Sequence, residues 1–245
     1  MSGHSHAANI AHRKGIVDAK RGKLFSKLCR AIQVAAKSGG GDPDANLRLR
    51  YAIDKARAVS CPKDNIERSI KKGTGELGSV IFEEVVYEGY GPGGVAVMCT
   101  VLTDNRNRIA GELRKAFEHC GGNLGASGCV GYLFHFKGLF LINAKHIGEE
   151  RLMEVALDAG ADDIELIEGY WEVTCDPKIF EQVRKAIEAA KIATESAETS
   201  YIPTTYVDLD AENAKKMLKL RDILEENDDV QDVYANDNIP AAATA

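Results

Sequence analysis

Apolar residues recur at Leu24, Leu28, Ala31, Ile32 and Ala35, all within one arc at about 100° per residue. This spacing predicts an amphipathic helix from Val17 to Lys37, stopped by Ser38-Gly39-Gly40-Gly41-Asp42-Pro43. A second helix is predicted over 44–58, with Leu49, Ile53 and Ala56 inward. A third opens at Pro62 and ends at Lys71-Lys72-Gly73. The first sixteen residues have no periodicity and read as an arm.

After Gly78 the period shortens to that of strands. Strands are predicted at 82–88 and 95–103 around a Gly/Pro loop. Asp104 is the expected cap of a helix over 107–119, with a strand to follow at 129–136. From Leu139 the order is strand, helix, strand, strand, helix, strand, the ferredoxin-like sequence of elements, and beyond Pro203 come a strand, a helix over 211–227 and a strand over 230–235. The fold class is therefore α+β: an all-helical N-terminal domain followed by two ferredoxin-like α+β domains, one inserted into the other. The expected boundaries are 1–78 for the helical domain, 79–137 plus 204–238 for the discontinuous one, 138–203 for the insert and 239–245 for a disordered tail.

Charge changes this picture. The chain of 245 residues has a net charge of −6, yet residues 1–76 hold 16 Lys and Arg against 7 Asp and Glu, or +9, and the remainder hold 15 against 30, or −15. A basic end on an acidic body points to an anionic partner, above all nucleic acid. On the first helix Lys20, Lys23, Lys27, Arg30 and Lys37 form a basic stripe beside the apolar arc.

Other chemistries find no support. The chain lacks G-x-S-x-G, H-E-x-x-H and a Walker loop, so no enzyme and no small-molecule substrate are expected. Gly73-Thr74-Gly75-Glu76-Leu77-Gly78 fits G-x-G-x-x-G but follows a helix and precedes a strand, the reverse of a dinucleotide site. His119-Cys120 adjoin at a helix end, and Asp162-Asp163 read as a turn. Cys29, Cys61, Cys99, Cys120, Cys129 and Cys175 contain no C-x-x-C pair and read as free thiols of a reducing compartment. His4, His6 and His12 have no metal-ligand spacing, so neither metal nor cofactor is expected. No apolar run nears 18 residues and the opening lacks a signal-peptide pattern, which implies a cytoplasmic protein without a membrane partner. Tyr132, Phe134 and Phe136 alternate as stacking aromatics of RNA-binding sheets do, and equally as a core face does.

A set of local motifs resembles the YebC/PmpR family: Gly3-His4-Ser5, His12-Arg13-Lys14, Asp18-Ala19-Lys20-Arg21-Gly22-Lys23, Gly39-Gly40-Gly41-Asp42-Pro43, Pro62-Lys63-Asp64-Asn65-Ile66-Glu67-Arg68, Tyr87-Glu88-Gly89-Tyr90-Gly91-Pro92-Gly93-Gly94 and Thr103-Asp104-Asn105-Arg106-Asn107-Arg108. The resemblance spans nearly the whole chain. It implies a three-domain, non-catalytic regulator, described in bacteria as a DNA-binding transcriptional regulator; mitochondrial relatives are translational activators, so the partner is DNA, or ribosomal or messenger RNA, with the ribosome a further candidate. The arm departs from the family pattern, holding His6, Ala7 and Ala11 where Lys, Trp and Lys are usual.

Candidate contacts to phosphates are Arg13, Lys14, Lys20, Arg21, Lys23, Lys27, Arg30, Lys71 and Lys72. A second candidate anion site is Asn105, Arg106 and Arg108, at the start of a helix where backbone N–H groups and two guanidinium groups meet. The ordinary alternative there is an Asx cap with locally paired arginines.

Overall fold

A computed structural model describes residues 21–78, 81–167 and 169–239. Three helices come first: α1 (Arg21–Gly39), α2 (Leu47–Ala58) and α3 (Lys63–Gly73). Asn46 starts α2, its side chain accepting the Leu49 N–H, so the helix begins three residues later than its periodicity suggests. The three bury Ile32, Ala35, Ala36, Leu49, Ile53, Ala56, Cys61 and Ile66 in one core. Gly73 is required where α1 and α3 converge, since a Cβ there would lie 2.7 Å from that of Ala36.

Two four-stranded antiparallel sheets follow. The first has the order β3-β1-β2-β9, from β1 (Glu83–Tyr90), β2 (Ala96–Thr103), β3 (Asn123–Leu124) and β9 (Val230–Ala235). Helices α4 (Arg106–His119) and α7 (Ala211–Glu226) cover one face, with Val97, Cys99, Val101, Leu113, Phe117, Met217 and Leu220 fully buried between. The second sheet has the order β5-β6-β4-β7, from β4 (Phe134–Asn143), β5 (Asp163–Ile167), β6 (Tyr170–Cys175) and β7 (Ser196–Pro203). Helices α5 (Glu149–Asp158) and α6 (Phe180–Ala189) cover it around Phe140, Ile142, Val173 and Ile187. This is the ferredoxin-like strand arrangement predicted from element order. Short strands β8 (Val207–Asp208) and β10 (Asp237–Asn238) pair in parallel beside the first sheet.

Four local expectations are corrected. Asn105, not Asp104, caps α4. No strand forms over 129–133. Residues 131–133 make a single 3₁₀ turn, and the strand that starts at Phe134 runs unbroken through 137 and 138 to Asn143, entirely within the second sheet. The cause is Glu88, whose buried carboxylate accepts the N–H groups of Gly128, Val130 and Gly131 at 2.6–2.8 Å and bends that segment into a loop. The third strand of the first sheet is instead the two-residue β3. Finally, Ile239 is no part of a loose tail: it packs against the first core. The rest of the expected tail, 240–245, lies outside the described residues.

The two sheets meet through apolar side chains. Strand β2 is buried on both faces, and its second face sets Ala96 and Met98 against Val130 and Phe134, with Tyr201 and Tyr234 in edge contact at 5.2 Å.

Candidate nucleic-acid interface

The basic stripe of α1 faces the protein's own acidic end of α7. Helix α7 closes on Leu224-Glu225-Glu226-Asn227-Asp228-Asp229 with no basic residue in its last turn, so its free carbonyls and negative dipole end coincide with four carboxylates. Helix α1 supplies the missing cations. Lys23 donates to the Glu226 carbonyl at 3.2 Å and Lys27 to that of Glu225 at 2.5 Å. Burial depresses the Lys27 ammonium's pKa below its ordinary value, with Glu225, Asp232 and Asp228 opposing the shift.

Arg30 goes deepest. One guanidinium nitrogen donates to the carbonyls of Leu102 and Asp228 at 3.0 and 2.8 Å and to the Asp229 carboxylate at 2.5 Å, while the group lies 4.8 Å over the Phe82 ring. Asp229 also accepts from the Thr103 hydroxyl at 2.7 Å and from Arg108 at 2.5 Å. Burial alone would raise its pKa; the donors Thr103, Arg108 and Arg30 win and hold it below the ordinary carboxylate value.

The segment 104–108 is filled in the same way. Asn105 accepts the Arg108 N–H at 3.0 Å as an Asx cap. Arg106 pairs with Glu83, and Arg108 pairs with Asp104 at 2.9 Å as well as with Asp229. The structure thus brings Arg108 together with Arg30 around the internal carboxylate of Asp229, while Asn105 caps the helix that carries Arg108 and Arg106 turns to Glu83.

Lys71 and Lys72 are placed differently. They stand exposed in the last turn of α3, without an ion pair among the described residues. Arg68, Lys37 and Arg50 share that condition. On α3, Arg68, Lys71 and Lys72 stand at i, i+3 and i+4, opposite the buried Ile66 and Ser69. Lys37 and Lys72 are chain neighbours of the contacting pair Ala36 and Gly73, so they lie at the same end of the helical unit. Arg68 was readable from helical spacing beside Lys71 and Lys72. The exposure of Arg50 needed the α2 packing. Arg13, Lys14 and Lys20 lie outside the described residues, as do His4, His6 and His12; Arg21 opens α1 and its side chain is not described.

The aromatic alternation divides as well. Phe134 belongs to the core between the sheets, whereas Tyr132 and Phe136 are exposed, Phe136 against Tyr201 at 4.9 Å. Among the described residues no three His, Cys, Asp or Glu side chains gather as metal ligands, and no helix is long and apolar enough to cross a membrane.

A helical basic unit joined to two ferredoxin-like units defines a class of three-part α+β protein with a cationic N-terminal end. The chain belongs to the TACO1/YebC family: residues 5–76 match the model of that family's N-terminal domain and residues 82–237 that of its second and third domains. It is 57% identical over 239 residues to a protein of Geobacter sulfurreducens, covering 98% of this chain and 96% of that one. It is 55% identical to a protein of Rhodopirellula baltica over 100% of both chains. Each of these relatives bears the name probable transcriptional regulatory protein. A crystal structure of a conserved hypothetical protein of Aquifex aeolicus superposes with a TM-score of 0.81 at 50% identity, over 91% of this chain and 93% of that one.

Proposed function

We propose that the protein is a nucleic-acid-binding regulator, working in the cytoplasm without catalysis or cofactor, whose helical unit holds the sugar-phosphate backbone. The observation that carries this reading is the outward set Lys37, Arg50, Arg68, Lys71 and Lys72: exposed cations without an ion pair among the described residues, on the basic end of an otherwise acidic chain. The arm cations Arg13, Lys14, Lys20 and Arg21 extend it. The names of the relatives support transcription as the working level, hence DNA as the partner.

One observation favours RNA and translation as a second reading. The exposed residues of α3 are charged, with Asn65 half-buried at their margin, and a face dominated by Lys and Arg grips backbones while reading bases poorly. The expected discrimination between promoter and scrambled duplexes is therefore about tenfold at most, with similar affinity for a structured RNA.

The test is fluorescence anisotropy with promoter duplex, scrambled duplex and an RNA hairpin at several salt concentrations. Wild-type affinity should fall with a log-log slope of about −4 to −7 for roughly 5 to 8 phosphate contacts. Lys71→Glu with Lys72→Glu should weaken binding at least about tenfold. Affinity insensitive to both salt and this variant would refute the reading, and a preference above about 10³ for one duplex would show base-reading side chains elsewhere.

A further inference from the structure

The cations of the helical unit divide into two faces, one turned outward and one turned onto the end of α7. Lys23, Lys27 and Arg30 lie along one side of α1, spaced so that their charged ends meet successive oxygens: the carbonyls of Glu226, Glu225 and Asp228, then the Asp229 carboxylate. A row of anionic and carbonyl oxygens read by a helical row of cations is chemically what a phosphodiester backbone presents.

The seam that half-buries Lys27 and Arg30, with Lys23 exposed at its rim, is of a reversible kind. Among the described residues no hydrophobic cluster spans the helical unit and the sheets: the helical core draws on residues 25–70, and the core of the first sheet on residues 87–239. What crosses is polar: Lys23, Lys27 and Arg30, the exposed pair Arg48–Glu84 at 2.7 Å, and Lys55–Glu198 at 3.7 Å. The ring exceptions are Tyr51 edge-on to Phe180 at 6.3 Å and Phe82 under Arg30. The connection includes Gly75 and Gly78, both with positive φ, so the backbone there adopts conformations that favour glycine. Inter-unit seams of polar composition are the ones that open.

We infer that Lys23, Lys27 and Arg30 form a second phosphodiester-binding face, concealed in the closed protein by the acidic end of α7, which occupies it as a stand-in for nucleic acid. Binding begins on Lys71, Lys72 and their neighbours. A phosphate backbone then competes with Asp229 and the last carbonyls of α7 for the concealed row, and the helical unit swings off the first sheet to engage it. Opening costs the seam contacts, so the closed form binds more weakly than an open one would. This inference rests on the helical unit being the nucleic-acid-binding part, and it adds that the acidic body restrains it.

The test combines small-angle X-ray scattering with anisotropy on the full-length chain, using an RNA hairpin of about 20 nucleotides, with ionic strength varied around 100 mM so that salt sensitivity stays in range. Wild type should expand on saturation with the hairpin. Asp229→Asn should expand the free protein and tighten binding about five- to tenfold, with a steeper salt slope, because it releases Arg30 without removing a cation. Asp229 is buried, so a second variant guards against misfolding: Glu84→Gln with Glu198→Gln loosens the exposed seam pairs, and Glu118→Gln with Glu150→Gln is its charge-matched control away from the seam. The seam variant should bind at least about threefold tighter than the control. Equal affinity of seam variant and control, with no expansion of wild type on binding, would overturn the concealed face while leaving the outward site intact. Loss of binding on Lys71→Glu with Lys72→Glu tests that outward site separately.

Discussion

The seam between the two sheets and the seam between the helical unit and the first sheet use opposite materials. Between the sheets, Ala96, Met98, Val130 and Phe134 exclude water and are buried almost completely. Beneath α1, charged side chains reach backbone carbonyls and one carboxylate. Apolar contact is non-directional and resists salt, so it fixes the two ferredoxin-like units as one body. Charge-assisted hydrogen bonds set a precise orientation but compete with water and ions, so the seam beneath α1 is the more sensitive of the two to salt and acid.

The contrast can be broken most directly at Phe134. Phe134→Ala should cost about 3–5 kcal/mol in urea denaturation, because it opens a cavity that both sheets line. A loss below about 1 kcal/mol would mean that the sheets do not depend on this core. Glu88 supports the same seam from its polar side, fixing the N–H of buried Val130. Glu88→Ala leaves three N–H groups without their acceptor and should cost about 2–3 kcal/mol; equal stability of variant and wild type would show that the loop re-pairs them.

Acid should discriminate between the seams. The carboxyl of Asp229 is held below its ordinary value by Thr103, Arg108 and Arg30 against the cost of burial, and that of Glu88 by Val130, Gly128 and Gly131 against the same cost. A depressed folded value contributes stability that is complete above the unfolded value near pH 4 and is lost as pH falls through the folded one. Stability should therefore be flat between about pH 7 and 5 and fall below about pH 4, with scattering detecting separation of the helical unit before the sheets unfold. Simultaneous loss of both would erase the distinction. The smallest effect belongs to Arg48→Ala, which removes an exposed pair with Glu84 and should change stability by less than about 1 kcal/mol. A larger thermal shift would make that pair a principal fastening.

Much of this was legible in the residues. The 3.6-residue period placed three helices, the ferredoxin-like order from Leu139 onward produced the sheet β5-β6-β4-β7, and family motifs matched at both ends of the chain. The strand expected at 129–136 failed because its fate depends on Glu88, some forty residues away, whose carboxylate draws Gly128, Val130 and Gly131 into a loop. Similarly, β3 and β10 have two residues each, too few for any period to show.

Sequence by itself determined that α1 carries a basic stripe beside an apolar one, because the helical repeat fixes which side chains share a face whatever surrounds them. It also determined that the chain has a basic end and an acidic body. Only the tertiary structure decided which cations look outward. Lys23, Lys27 and Arg30 turn onto the end of α7 because that helix closes on acidic residues and carbonyls with no cation in its own last turn, whereas Lys71 and Lys72 stand exposed with no such partner among the described residues. A charge in the sequence states what a residue can pair with; the pairing itself depends on which oxygens folding brings within about 3 Å of it.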